Sequence, residues 1–537
     1  MFDPIIILYI LTIALRDSTP NLLTPPQVSP LVLGVFICGV LIGLIASTYL
    51  LNALALRAFD RTGSRRVIQQ IDRLSSISKF LLAAHWISSV FWLDWLGIVR
   101  SGVGDVVLLD ELLAVLPFLF ALFALYGLGH GIQTRLQEAV MARWLDQGLP
   151  IPSPPSYAVY VIEAIRHRAA IILVPVCILT ATSEGLERLF ARLTLRYPEY
   201  AESEWSILAP ELAQLVLAGG VLCLMPILLR CVWRTSSLPQ CRTRQRLETM
   251  CREQGVRVRD ILVWHTRSGM LNGALIGVLP WVRYILLTEA LIERLPGEQL
   301  EAVMAHEIAH ARRHHLPWLL GAMVGVVTVC TTGLWLLLRP TLMQIEDHQQ
   351  RMFWSDTAVG LSIGVALVCA FFLFGWISRK FERQADAFAT QHLSGVRFNR
   401  RHPHPTDRCQ IISGRAANAM QQALATVAES SGMRPERFTF RHGSIAGRQR
   451  AIGRLVGRPA LRLPIDRVVW RIKAATVLVL GCAVAVSAVQ WNIEQAEREE
   501  AKARADAIDQ VVDQWLRDNG LHVWFTPSLT PETDREP

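Results

Sequence analysis

The chain has 537 residues, 52% of them hydrophobic, a formal net charge of +9 and a mean hydropathy of +0.32. Apolar content this high, gathered into long runs, excludes an ordinary soluble domain and points to a lipid bilayer as a partner. The basic excess alone would suit nucleic acid, but its distribution along the chain answers to a membrane, so no nucleic-acid partner is expected.

In chain order, the first apolar run, Pro4 to Leu15, is shorter than the roughly 20 residues that cross a hydrocarbon core and lacks the basic flank of a secretory signal, so an interfacial position is expected. Eight further runs read as spanning helices: 31–52, 80–98, 112–130, 169–183, 207–229, 316–338, 357–377 and 474–491. Asp94 interrupts the second, and the fourth reaches spanning length only by taking in residues 158–168. Arg57, Arg61, Arg65, Arg66, Arg73 and Lys79 follow the first span; Arg135, Arg143, Arg166 and Arg168 follow two spans later; another basic stretch starts at Arg230. The alternate loop 183–206 is acidic, as is the tail after Trp491. The positive-inside rule then puts both chain ends outside and residues 230–315 and 378–473 on the cytosolic side, in an integral, multi-pass membrane protein. Six cysteines lie within spans, and Cys231, Cys241, Cys251 and Cys409 fall on the inner side, which fits a reducing compartment and no disulfide framework.

Five divisions follow. Residues 1–229 hold about five spans, broken by a Pro-rich turn from Pro150 to Pro155; 230–315 read as a small folded unit; 316–378 form a hairpin of two spans; 379–472 return to the inner side; and 473–537 hold the last span and a short acidic outer tail, with an exposed helix over Glu494 to Asp518. Within 230–315, Arg244 to Gln254 has helical character, and Ile261 to Trp264 and Tyr284 to Leu287 are short strand-like runs separated by Gly269, Gly273 and Gly277. Leu295-Pro-Gly-Glu opens the next helix, with Pro296 suited to its first turn and Glu298 and Glu301 facing the positive end of its dipole. A polar stretch, Arg397 to Arg415, reads as mobile.

His306-Glu307-Ile308-Ala309-His310 places two imidazoles one helical turn apart on one face, where both reach a single tetrahedral ion. Glu307 lies beside them as a general base for water activated by such an ion. A catalytic zinc needs a third protein ligand on the same side of the membrane. After the seventh span, Glu382 and Asp386 stand four residues apart, and a two-span hairpin returns them to the inner face near His310. Alone, Glu382 would read as a solvated ion-pair partner; beside the histidine motif it reads as the third ligand. His314 and His315 are expected to face headgroups or pair with acids. Asp94, Asp110 and Glu111 lie near membrane depth.

These elements resemble the membrane zinc metallopeptidases typified by the CaaX prenyl endopeptidases and the HtpX heat-shock proteases. The resemblance rests on Glu298-Gln-Leu-Glu-Ala-Val-Met-Ala leading into the 306–310 motif, on Ser378-Arg379 through Glu382, Ala385 and Asp386, and on Asn272 to Gly277 followed by Tyr284-Ile-Leu-Leu-Thr and Leu291. It covers about 245–455 and leaves out the first five spans. It implies an α-helical multi-span protein of about eight membrane helices with a small cytosolic zincin-like α+β core, and one Zn2+ per chain held by His306, His310 and Glu382. Asp386 would orient a ligand histidine. Asn272 would lie on an edge strand along which substrate pairs and help bind the oxyanion; Gly273 follows it where the family usually has alanine. Arg441-His442-Gly443-Ser444 with Arg448 resembles a late segment whose histidine stabilises the transition state, without the family's proline. The function implied is hydrolysis of peptide bonds in membrane-associated proteins or peptides. Two other classes stand beside it. A zinc-protease-type transmembrane signalling receptor would need a sizeable outer sensor domain, for which the tail after Trp491 is short; a catalytically degenerate scaffold is disfavoured by the presence of all three ligands and the base.

Overall fold

The computed structural model describes residues 3–19, 28–135, 138, 155–197, 199–200, 203, 205–266, 271–396, 410–430, 434–461 and 463–518. Among these, eight helices are long and apolar enough to cross a membrane: Pro30–Thr62, Arg66–Phe91, Leu109–Arg135, Tyr157–Arg196, Leu208–Val232, His315–Leu342, His348–Leu393 and Pro464–Asp518. Each contains or overlaps one of the eight apolar runs, and the fourth does extend back to Tyr157.

Helix α1, Pro4–Ser18, starts on a proline and is capped by Asp3, which accepts from the Ile5 amide. It corrects the interfacial expectation. Ile6 and Tyr9 are buried, and the Tyr9 ring packs 5.2 Å from Trp86 and 6.2 Å from Phe118. A short helix can sit inside the bundle because its one buried charge is matched: Lys79 Nζ lies 2.6 Å from Asp3, and the Tyr126 hydroxyl donates to the same carboxylate. Around it stand α2 (Pro30–Thr62), α3 (Arg65–Phe91), α4 (Trp95–Val103) and α5 (Leu109–Leu128). Asp94, in the left-handed region at φ 48°, breaks α3 from α4 and pairs with Arg16 at 3.1 Å. Arg100 gathers Asp17, Asp110 and Glu111, so these membrane-depth acids are neutralised within the bundle. The fourth span is α6 (Tyr157–Ile165), a π-helical turn over Arg166–Ala170, and α7 (Ile171–Arg196); α8 (Trp205–Val232) follows.

A four-stranded sheet comes next, built from β1 (Thr235–Ser237), then, after α9 (Arg242–Glu253), β2 (Asp260–Trp264), β3 (Gly273–Ile276) and β4 (Tyr284–Thr288). The order is β1-β2-β4-β3. β2 and β4 run parallel with Asp260 opposite Tyr284, and β3 runs antiparallel to β4 with Gly273 opposite Leu287. β4 is central and wholly buried, which is why its sequence is apolar up to Thr288; β3 is an edge. Gly277 ends β3 at φ 107°, where a Cβ would lie 2.5 Å from the Val282 carbonyl oxygen, so only glycine closes this connection.

Helices α10 (Glu289–Arg294) and α11 (Gly297–Arg312) follow, with Pro296 at the N-cap of α11 rather than inside its first turn. α11 buries Leu300, Ala302, Met304, Ala305, Ile308 and Ala309 in the core beneath the sheet. His314, left-handed at φ 55°, turns the chain from α11 into α12 (His315–Leu342). The seventh span and the acidic helix after it are one element, α13 (His348–Leu393), capped by Asp347. Its 46 residues reach roughly 69 Å at 1.5 Å per residue, about twice a hydrocarbon core, so its C-terminal half projects beyond the membrane. α14 (Gly414–Ser430), α15 (Ile445–Gly453) and α16 (Pro464–Asp518) complete the chain, and α16 includes the charged helix expected over Glu494 to Asp518. The nine described cysteines are free. Residues 397–409 of the stretch expected to be mobile lie outside the described residues, as do Pro150, Pro152 and Pro154 of the Pro-rich turn; the remainder of the former is built, with Ile411 bridged to Pro459 and α14 beginning at Gly414.

Candidate metal centre

α11 presents His306 and His310 to α13, whose Glu382 faces both. The two Nε2 atoms are 3.3 Å apart; Glu382 Oε2 is 3.5 Å from His306 Nε2, and Oε1 is 3.8 Å from His310 Nε2. One ligand atom from each residue lies within 4.8 Å of the other two. An ion bound tetrahedrally at about 2.0–2.1 Å needs donors about 3.3 Å apart, so two imidazoles and one carboxylate at this spacing suit zinc.

The supporting polar groups are buried. Asp386, one turn beyond Glu382, puts Oδ1 2.9 Å from His306 Nδ1. Arg448, from α15, donates to Asp386 at 2.8 and 2.6 Å and lies 3.2 Å from Glu382. Burial acts against the guanidinium's charge, but the attraction of Asp386 and Glu382 wins and holds its pKa above the usual value. Burial likewise works against a charged His306, yet its contacts with Asp386 and Glu382 push its pKa up to about 10. A metal held at Nε2 would need that nitrogen without its proton. Burial first, and then the neighbouring His306, drive the pKa of His310 well below its usual value.

Glu307 leaves the cluster on the side of β3, where Leu275 N–H donates to its Oε2 at 3.3 Å. The residue is partly buried, and that burial raises its pKa above the usual carboxylate value. His442, half-exposed, has Nδ1 3.0 Å from Glu382 Oε1. Asn272 stands at the head of β3, with its N–H donating to Thr288 Oγ1 and its carbonyl accepting from Thr288 N–H. No hydrogen bond among the described residues joins its exposed side chain to the cluster.

His315 is not at a headgroup surface. It is 3% exposed, stacks on Phe381 with ring centroids 4.4 Å apart, and sits with Nδ1 3.0 Å from Nδ1 of His310. The left-handed turn at His314 produces this placement, and a helix continued through that point would not. Arg448 had no assigned role in the sequence. Two carboxylates one turn apart demand a buried cation, and the one signal toward it was the place of Arg448 in the late segment that resembles the family.

Residues 237–408 match the model of Peptidase family M48. A protease HtpX homolog from Bacteroides fragilis (strain YCH46) is 34% identical over 80 residues, which is 15% of this chain and 24% of that protein, so the chain spans about a quarter of the length of this curated relative. The crystal structure of S. mikatae Ste24p aligns over 80% of this chain and 100% of its own, with 14% identity and a TM-score of 0.42.

Proposed function

We propose, from the match of residues 237–408 to the model of Peptidase family M48, that the chain is a membrane-embedded zinc endopeptidase that cuts membrane-associated proteins or peptides at the cytosolic face. The observation that carries the reading is the triad of His306, His310 and Glu382, a donor set of the kind that holds a catalytic zinc and leaves a further position open. Bound zinc supplies a Lewis acid for the scissile carbonyl and lowers the pKa of water toward neutrality.

Glu307 takes the proton from the attacking water and returns it to the leaving amine; its raised pKa favours a group that must both accept and give back a proton. Its tie to Leu275 N–H fixes the carboxylate against β3. The outer edge of β3, unpaired with another strand among the described residues, offers its remaining backbone groups to an extended peptide, which adds as a fifth strand and brings its carbonyl to the base already held at Leu275 N–H. Asn272, at the head of that edge, meets the same peptide. His442, on the open side of Glu382, donates to the negative charge that develops on the carbonyl oxygen. Asp386 holds His306 in the orientation that leaves Nε2 for the metal, and Arg448 keeps Asp386 charged. The arginine-rich loops on the motif's side support the cytosolic assignment.

The test compares the purified full chain with Glu307→Gln for zinc content and for cleavage of a membrane-anchored model substrate. Both should hold one zinc per chain, with cleavage by the variant down about 10²–10⁴-fold. A wild type without zinc, or equal cleavage by both, refutes the reading.

A further inference from the structure

The metal centre is tied to the root of the last membrane helix through a line of polar groups whose two middle members, His315 and Gln384, are buried. His310 Nδ1 is 3.0 Å from His315 Nδ1, His315 Nε2 is 2.9 Å from Gln384 Oε1, and Gln384 Nε2 donates to Asp466 Oδ1 at 2.6 Å. Asp466 lies in the first turn of α16, the helix that carries the last span. His315 and Gln384 are 3% and 4% exposed, so neither exchanges these partners for water.

The direction of the line is fixed by its end. A carboxylate only accepts, so Gln384 must offer its amide nitrogen to Asp466 and its carbonyl oxygen to His315. His315 must then carry its proton on Nε2 and accept at Nδ1. The one donor facing that lone pair is Nδ1–H of His310, which leaves Nε2 of His310 without a proton. Nε2 is the atom that lies 3.3 Å from His306 Nε2 and 3.8 Å from Glu382 Oε1. With this polarity the ring is the neutral tautomer a metal needs, already turned toward the ion. Reversal would require Asp466 to donate.

We propose that His315, Gln384 and Asp466 are positioning residues that select the metal-binding tautomer of His310. They make its affinity for zinc depend on the seating of the last membrane helix. This rests on the zinc reading above and adds to it a second orienting device, separate from the Asp386 contact on His306. His315 is not itself a ligand, since its Nδ1 is spent on the outer nitrogen of His310 and its Nε2 on Gln384. The stack on Phe381, with ring planes 7° apart, fixes the imidazole plane so that both nitrogens stay in line.

The test uses the full chain in nanodiscs and measures zinc affinity by competition with a chromophoric chelator, with the melting temperature of the metal-free protein alongside. His315→Phe keeps a flat ring on Phe381 but cannot accept from His310, and zinc should bind about 10–100-fold more weakly. Asp466→Asn is isosteric at a partly exposed position and folds. Its amide can donate, so the line runs in both directions, and affinity should fall by about 3–10-fold, with Asp466→Glu restoring it. The cobalt-loaded Asp466→Asn should also show a shifted visible spectrum, which a purely structural role would leave unmoved. Wild-type affinity in Asp466→Asn overturns the proposal, as does wild-type affinity in a folded His315→Phe. If the wild type binds no zinc, the enzyme reading falls and this inference with it; normal binding by wild type and variants alike removes this inference only.

Discussion

Replacing Arg448 with methionine removes the positive charge that the buried carboxylates share while keeping most of the side chain's length. Arg448 is 9% exposed, donates to Asp386 at 2.8 and 2.6 Å and stands 3.2 Å from Glu382. Taking one partner from a buried ion pair costs about 3–5 kcal/mol, and two charge-assisted hydrogen bonds at about 1.5–3 kcal/mol each give the same scale. In a cooperative unit of about 150–250 residues, one kcal/mol is worth roughly 2–4 °C, so the metal-free variant should melt about 10 °C below the metal-free wild type. Zinc brings positive charge to the same carboxylate, Glu382, and offsets part of the loss. The rise in melting temperature on adding zinc should therefore be larger for Arg448→Met than for wild type. Tryptophan fluorescence melts in detergent, with and without chelator, read both quantities, helped by 16 tryptophans in the chain. A metal-free variant melting within about 2 °C of wild type would refute the reasoning, because the carboxylates would then have no need of the guanidinium.

Three further outcomes are expected. Gly277→Ala places a Cβ 2.5 Å from the Val282 carbonyl oxygen at φ 107° and should cost about 1–3 kcal/mol or more, read as a lowered melting temperature. Glu301 on α11 is held below its usual pKa of 4.5 first by the hydrogen bond with His392 and then by Arg246. A depressed folded pKa means stability that is fully present above pH 4.5 and lost as pH falls through the lowered value. Glu301→Gln should accordingly be about 1–2 kcal/mol less stable than wild type at neutral pH, with the difference shrinking below pH 4.5 in a pH series of melts. Gly325→Leu drives a Cβ to within 2.9 Å of Val479 Cγ1 and should part α12 from α16 at a cost of about 1–3 kcal/mol, whereas Gly333→Leu, with nothing within 4 Å, should melt like wild type.

Those sites differ in how far the sequence foretold them. The eight spans were legible because length and apolarity are local properties, and a helix in lipid has to satisfy its own backbone. That His306 and His310 share one face, and Glu382 and Asp386 another, was legible because helical spacing fixes which side chains stand together; that the two pairs meet was read from the hairpin between them, and the role of Asp386 from the family resemblance. α1 was misjudged since its length excludes spanning but says nothing of Lys79, the partner that lets Asp3 be buried. His315 was misread for a different reason. Its environment depends on the left-handed backbone at His314, a conformation that histidine adopts seldom and that no neighbouring residue signals.

The two histidines and Glu382 lie on either side of a membrane hairpin, yet the hairpin is what makes the centre cheap to assemble. A flexible connection of that length would leave α13 many positions to sample, and closing it would cost entropy on ordering. Here α12 and α13 are continuous helices, so once the hairpin is inserted the position of Glu382 follows from helical rise and tilt. Phe381 and Ile377 on α13 pack with Ala322 of α12 and with Val469 and Ile472 of α16, directly beneath the centre. The same α16 carries Asp466, which ends the hydrogen-bonded line from His310. Three membrane helices therefore meet at one apolar cluster, and two of them reach the metal-binding residues, α13 by covalent continuity and α16 by hydrogen bonds. A change in their packing is passed to Glu382 along α13 and to His310 through Asp466, Gln384 and His315, so on the zinc reading proposed above the membrane segment and the site are coupled.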